Sequence, residues 1–354
     1  MPQSCQRLTL ELESLKQLKQ TFNQELAGLP QTGKSDDLIF IREAKTKLEQ
    51  TLQELQDQLW LNTPELTPEN LKAQYEAQVD ILRKNNLLKT LSTGKLGIEA
   101  IDKQEYPIPT LEQIEEIMLE KRKFFETKIK QGFVKLILVP FGLPIGSLIE
   151  AYDRALIEHH QRGELRDTQN QPLGLNKEIG TKFIFDDAGL VEAEATGDLA
   201  YFPQEYSKTD HQGKTKQELL PTQAWQVLLL EDLPDLPPEG QGKIIAHRQQ
   251  PEANQSPNNY LKQLQTDPQY KGEQGLTPES WLIYALSHLT QTNQVIDGYQ
   301  GSSKACYLLS SCLKKLGCVP YVYFYRNFAQ VDLIQGAPGN PNSSKAGRFL
   351  VSIL

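Results

Sequence analysis

The sequence predicts an α+β protein in which an N-terminal helical module precedes a larger mixed domain. Three observations carry this. Leu48, Leu52, Leu55 and Leu59 recur at helical spacing within a segment filled by Glu, Gln and Lys. The apolar runs VKLILV at 134–139 and VLLL at 227–230 have the length of buried strands, and Pro140 ends the first. The closing stretch, from Val319 onward, alternates aromatic and aliphatic residues and then turns to Gly, Pro, Asn and Ser.

The elements follow in order. Leu8, Leu12, Leu15, Phe22 and Leu26 open a helix that Gly28, Pro30 and Gly33 interrupt. Pro64 and Pro68 end the second helical segment, and a third is predicted over 68–91 with Pro68 in its first turn. Together these read as a helical hairpin or short coiled coil, suited to holding copies of the chain together as a homo-oligomer. STGKLGIEAIDKQEYPIPT at 92–110 reads as a linker. The predicted boundaries are therefore 1–103 for the module and linker, and 104–354 for the second domain.

Within that domain a helix is predicted over 111–130, a strand over 134–139, a helix over 145–165 and strands over 181–185 and 227–230. Pro/Gly/Asn-rich connections fill 229–243 and 248–259. One helix start is well marked. Thr277 suits the N-cap, Pro278 the first helical position, and Leu276 with Trp281 a hydrophobic staple. That helix should run to about residue 290 with Trp281, Ala285, Leu286 and Leu289 towards the core. From Gln294 onward, short apolar runs broken by turns predict irregular β structure.

Composition narrows the function. The chain has 354 residues and a net charge of −8. A nucleic-acid partner is not expected, because neutralising phosphates needs a basic face. Mean hydropathy is −0.49, and no apolar run approaches the length of a membrane span. The start, MPQSCQRLTLELES, lacks the pattern of a secretory leader, so a cytoplasmic location is expected, with surface display through a partner left open. Cys5, Cys306, Cys312 and Cys318 show no zinc-site spacing, so neither metal nor cofactor is expected and the thiols should be free.

The case for an enzyme is thin. Neither GxSxG nor HExxH occurs. His159 and His160 are adjacent and diverge around their helix, while His211, His247 and His288 are scattered. The pairs Asp186-Asp187 and Glu231-Asp232 read as solvated turns. GLPQTGKS at 28–35 does match the phosphate-loop pattern GxxxxGK[ST], in which Lys34 and Ser35 would reach phosphate and magnesium. Glu231 and Asp232 could then stand in for the acidic metal-binding strand. A P-loop must follow a buried strand, however, and LKQLKQTFNQELA before it has a polar helical pattern. Nucleotide binding at 28–35 is kept as the alternative function.

Tyr321, Tyr323 and Tyr325 should share one face of a terminal strand, with Val322 and Phe324 on the other. Such a stretch suits a core edge. It also has the composition of a binding surface, where tyrosine gives rigid contact area and Asn, Ser and Gly give adaptable hydrogen bonds. Composition leaves both open.

From about Tyr106 onward the chain resembles the variable proteins of diversity-generating retroelements. The resemblance rests on KIKQGFVKLILVPFGLPI, HQGKTKQELL, WQVLLLEDLPDLP, YKGEQGLTPESWLIYALSHL and GSSKACYLL, followed by VPYVYFYR and a closing PGN…AGRFLVSI. It implies a C-type-lectin-like fold, shared with formylglycine-generating enzymes, and a variable region over about 300–354. It further implies that a reverse transcriptase errs at template adenines, so that Asn codons become many residue types without a stop. Carried over by position, the diversified, ligand-binding residues would be Tyr321, Tyr325, Asn327, Phe328, Asp332, Ile334, Asn340 and Asn342. Val322, Tyr323, Arg326, Leu333, Pro338, Gly339 and Gly347 would be scaffold. The implied function is recognition of a macromolecular ligand, most simply a protein, without catalysis. The chain departs from the pattern at 310–318, where SSCLKKLGC replaces an aromatic-Pro turn, and at Phe324, where Trp is the pattern. Gln335 cannot arise from an Asn codon by adenine changes. Cys312 and Cys318 could instead be compared with the redox pair of formylglycine-generating enzymes, but no Arg-Gly-Gly-Ser-Trp-like segment accompanies them.

Overall fold

A computed structural model describes residues 68–173, 182–299, 304–326 and 328–354, with Lys47 and Thr51. The chain divides into two compact units, Met1–Lys72 and Ala73–Leu354. The helical hairpin, with its oligomerising role, and the 28–35 loop with Lys34 and Ser35 lie outside the described residues, as does Asn327. What is described is a mixed α+β unit.

Helix α1 (Pro68–Lys84) stops short of residue 91. Asn86 takes φ 59°, a left-handed turn that ends helices. A three-stranded antiparallel meander then stands where the sequence suggested a linker: β1 (Lys89–Thr90), β2 (Leu96–Glu99) and β3 (Glu105–Pro107). Of the Gly and Pro residues that read as linker punctuation, Gly94 turns the chain at φ 80° and Pro107 ends the edge strand β3, while Gly97 sits inside the central strand β2, where a Cβ would clash with the Tyr106 carbonyl. Leu91, Ile98 and Ala100 are buried, and the Trp225 indole N–H donates to the Tyr106 carbonyl at 3.2 Å, so the meander belongs to the domain. The helix expected over 111–130 is two, α2 (Leu111–Glu120) and α3 (Arg122–Lys130). Lys121 separates them at φ −101°, ψ 29°, outside the helical range.

Beyond them come β4 (Phe133–Val139), α4 (Ile145–Gln161), β5 (Ile184–Asp186), α5 (Leu190–Ala195), β6 (Leu199–Tyr201), α6 (Lys216–Gln223) and β7 (Gln226–Glu231). The long connections carry a small hairpin, β8 (Ile244–Ile245) with β9 (Arg248–Gln249), and then α7 (Pro257–Thr266). The remainder comprises β10 (Glu273–Gly275), α8 (Pro278–Thr292), β11 (Gly298–Tyr299), β12 (Ala305–Tyr307), β13 (Ser311–Leu313), β14 (Val319–Tyr325), β15 (Gln330–Gly336), β16 (Lys345–Gly347) and β17 (Phe349–Ser352).

Two sheets organise this unit. One is antiparallel in the order β10-β17-β7-β4, and its strands β4 and β7 are buried almost throughout, as their unbroken apolar runs require. The other runs β16-β12-β14-β15-β5, with β11 beside β14. Helix α8 packs on α4 and β4 and is buried from Pro278 to Leu289. Its start is as the sequence marks it: Thr277 is the N-cap in a capping box with Ser280, and Pro278 follows.

The sheets are joined behind β14. The Asp297 carboxylate, fully buried before β11, accepts from the Trp281 indole of α8 at 2.8 Å and from Arg348 Nη2 at 2.6 Å. Arg348, between β16 and β17, also donates to the carbonyls of Leu233 and Pro234. One carboxylate of each acidic pair has structural work, while Asp187 and Asp232 are exposed as expected. Asp186 accepts from the first N–H groups of α5, and Glu231 meets Arg248 at 3.3 Å and Gln250 at 2.8 Å. Among the described residues no helix is long and apolar enough to cross a membrane.

Candidate functional site

Strand β14 alternates as its sequence predicts. Val322 and Phe324 are buried, and Tyr321, Tyr323 and Tyr325 are half-buried on the opposite face. Registers extend both faces across the sheet. Cys306 and Leu333 lie beside Val322, Val331 beside Phe324, and Ala346 beside Cys306, all buried against the interior. On the outer face Tyr307 and Ile334 flank Tyr321, Asp332 flanks Tyr323, and Gln330 flanks Tyr325.

The outer rings form a continuous row. Tyr307 meets Tyr321 edge-on at 6.0 Å, and Tyr321 stacks on Tyr323 at 6.2 Å and 19°. Tyr323 meets Tyr325 at 5.9 Å, and Tyr325 meets Phe328 at 4.7 Å. Exposure grades along the row. Tyr307, at 2%, sits in a core cluster with Tyr260, Tyr270 and Phe349. Phe328, at 58%, projects from the turn after β14. A half-wet row of rings offers contact area and hydroxyls at small entropic cost.

The other site residues fall into distinct settings. Ile334 is half-buried beside Tyr321, and Asn340 is exposed at the closing turn. Asn342 is built into that turn, where its side-chain oxygen accepts from the Ser344 N–H at 2.8 Å. Asp332 differs from its companions. It is 4% exposed and accepts from Gln330 Nε2 at 2.6 Å, which places it under the surface rather than on it. Among the scaffold residues, Arg326 pairs with Asp167 at 3.1 Å, and the Pro338 carbonyl accepts from the Asn258 N–H at the start of α7. Gly347 passes close to its neighbours, since a Cβ there would lie 2.7 Å from Leu309 Cδ1. Gly339 has nothing within 4 Å of such an atom.

Three members of the face were not among the expected ligand-contacting residues. Tyr323 stands between Tyr321 and Tyr325, as strand parity alone would have found. Tyr307 and Lys345 arrive on other strands, and pairing is what brings them in. Lys345 Nζ lies 3.4 Å above the Tyr321 ring centroid and 5.7 Å from that of Tyr307. Burial pushes its amine down to about 8.

Cys306, Cys312 and Cys318 are free thiols. Burial pushes Cys312 up to about 11 and raises Cys318, the reverse of what a reactive redox thiol needs. Burial lowers His159 and His288, favouring neutral rings. Among the described residues no group of His, Cys, Asp and Glu could hold a metal ion. No protein-family model matches the chain, and neither curated proteins nor solved structures yield a match.

Proposed function

We propose that this chain is a variable protein of a diversity-generating retroelement, with a C-type-lectin-like C-terminal domain, and that its tyrosine face binds a protein ligand without catalysis. The observation that carries the reading is the division of β14. One face is sealed core, while the other presents a graded row of rings ending in exposed Phe328. A surface meant to vary needs contact residues whose replacement leaves the core alone, and Tyr325, Phe328, Ile334 and Asn340 are so placed. The segment resemblance supplies the mechanism of variation.

The test is a library in which Tyr321, Tyr325, Phe328, Ile334 and Asn340 vary among residue types reachable from an Asn codon. Displayed on yeast, it is sorted first for folded expression and then panned against a panel of purified proteins. The reading expects most members to display as the parent does, and specific binders to emerge against more than one panel protein. Loss of display in most members would make the face structural and end the proposal.

A further inference from the structure

Around the tyrosine face Arg326 is paired with Asp167, and the Asp332 carboxylate accepts from the Gln330 amide. Lys345 has rings on one side, but among the described residues no carboxylate lies within ion-pair reach of its Nζ. Desolvation is accordingly what shifts its amine, with no compensating charge beside it. An ammonium half-removed from water and lacking an anion is a poor structural device and a ready recognition element. Bare Gly336 lies beside it. A Cβ built there would come within 3.7 Å of Nζ and 3.3 Å of the Tyr321 ring, so glycine keeps that side of the amine open.

We infer that Lys345, seated on Tyr321 and Tyr307, is an acid-binding subsite of the tyrosine face, taking a carboxylate from an acidic segment of a protein ligand. This rests on the proposed reading of the face. A peptide segment suits the dimensions, because Tyr321 to Tyr325 alone spans about 13 Å of strand. A carboxylate held at this half-buried amine forms a charge-assisted hydrogen bond, and its register on the ladder is fixed by the rings beside it.

The experiment pans a phage library of random dodecapeptides against the full-length protein, against Lys345→Met and Lys345→Arg, and against the double variant Tyr325→Ser/Phe328→Ser. Peptides enriched on the wild type and on Lys345→Arg should carry more Asp and Glu than the unselected library. That excess should vanish on Lys345→Met. A single enriched peptide should lose about tenfold in affinity when Lys345 becomes Met, the scale of one charge-assisted hydrogen bond. Equal acid content on wild type and Lys345→Met would overturn the subsite while leaving the face intact. No enrichment on the wild type beyond that on Tyr325→Ser/Phe328→Ser would overturn the reading of the face, and the subsite with it.

Discussion

Replacing Tyr307 and Phe328 by Ser, one at a time, should separate the supporting end of the ring row from its presenting end. Tyr307 is 2% exposed within a core cluster. Truncating a fully buried aromatic costs about 3–5 kcal/mol in lost transfer and cavity. Phe328 is 58% exposed, so only about two-fifths of its burial is at stake. Against the roughly 1.5–3 kcal/mol of a fully buried side chain, that is about 1 kcal/mol. Its ring contact with Tyr325 at 4.7 Å adds about 0.5–1 kcal/mol. Urea unfolding followed by far-UV circular dichroism reads the difference. With a slope near 3 kcal/mol/M, Phe328→Ser should shift the midpoint by about 0.5 M and Tyr307→Ser by about 1–1.7 M. Equal shifts with unchanged slopes would mean that Phe328 is structural, and the argument for a presenting face would fail.

Other outcomes follow from the same geometry. Arg348→Met strands the Asp297 carboxylate in the interior, and should cost about 3–5 kcal/mol in urea unfolding; adding Asp297→Asn should recover part of it. Lys216 lies between the buried carboxylates of Glu194 and Glu279. Burial and then the Glu279 charge raise Glu194 above its usual 4.5, although Lys216 opposes them. A raised carboxyl contributes stability below its unfolded value and loses it as pH rises through the folded value. The urea midpoint of Glu194→Gln should therefore rise relative to wild type as the pH is raised above the usual carboxylate value of 4.5; a relative fall would contradict the assignment. Gly347→Ala should destabilise by about 1–3 kcal/mol through overpacking on Leu309, whereas Gly339→Ala, with nothing within 4 Å, should leave the midpoint unchanged.

What the sequence disclosed was what local chemistry decides. Thr277 and Pro278 announce α8 because a cap and a first-turn proline act within a few residues. The runs ending at Val139 and Leu230 announce β4 and β7 because strands covered on both sides have no polar face to show. Alternation from Tyr321 to Tyr325 assigned inner and outer faces. The meander was hidden because strands of two to four residues carry too little pattern to outweigh Gly94 and Pro107. The Trp281, Asp297 and Arg348 cluster was hidden because its members lie far apart in sequence. The site divides in the same way. Tyr321, Tyr325 and Phe328 were named beforehand, whereas Tyr307 and Lys345 depend on strand pairing. Asp332 stands apart because it is buried on the outer face, which no periodicity records.

The most direct test of a diversified binding surface is deep sequencing of the last sixty or so codons of this gene across many cells of its source population. Substitutions concentrated at Tyr321, Tyr325, Phe328, Ile334 and Asn340, with Val322, Phe324 and Gly347 constant, are what the account predicts. A tail uniform from cell to cell, or changes spread equally over inner and outer faces of β14, would contradict it.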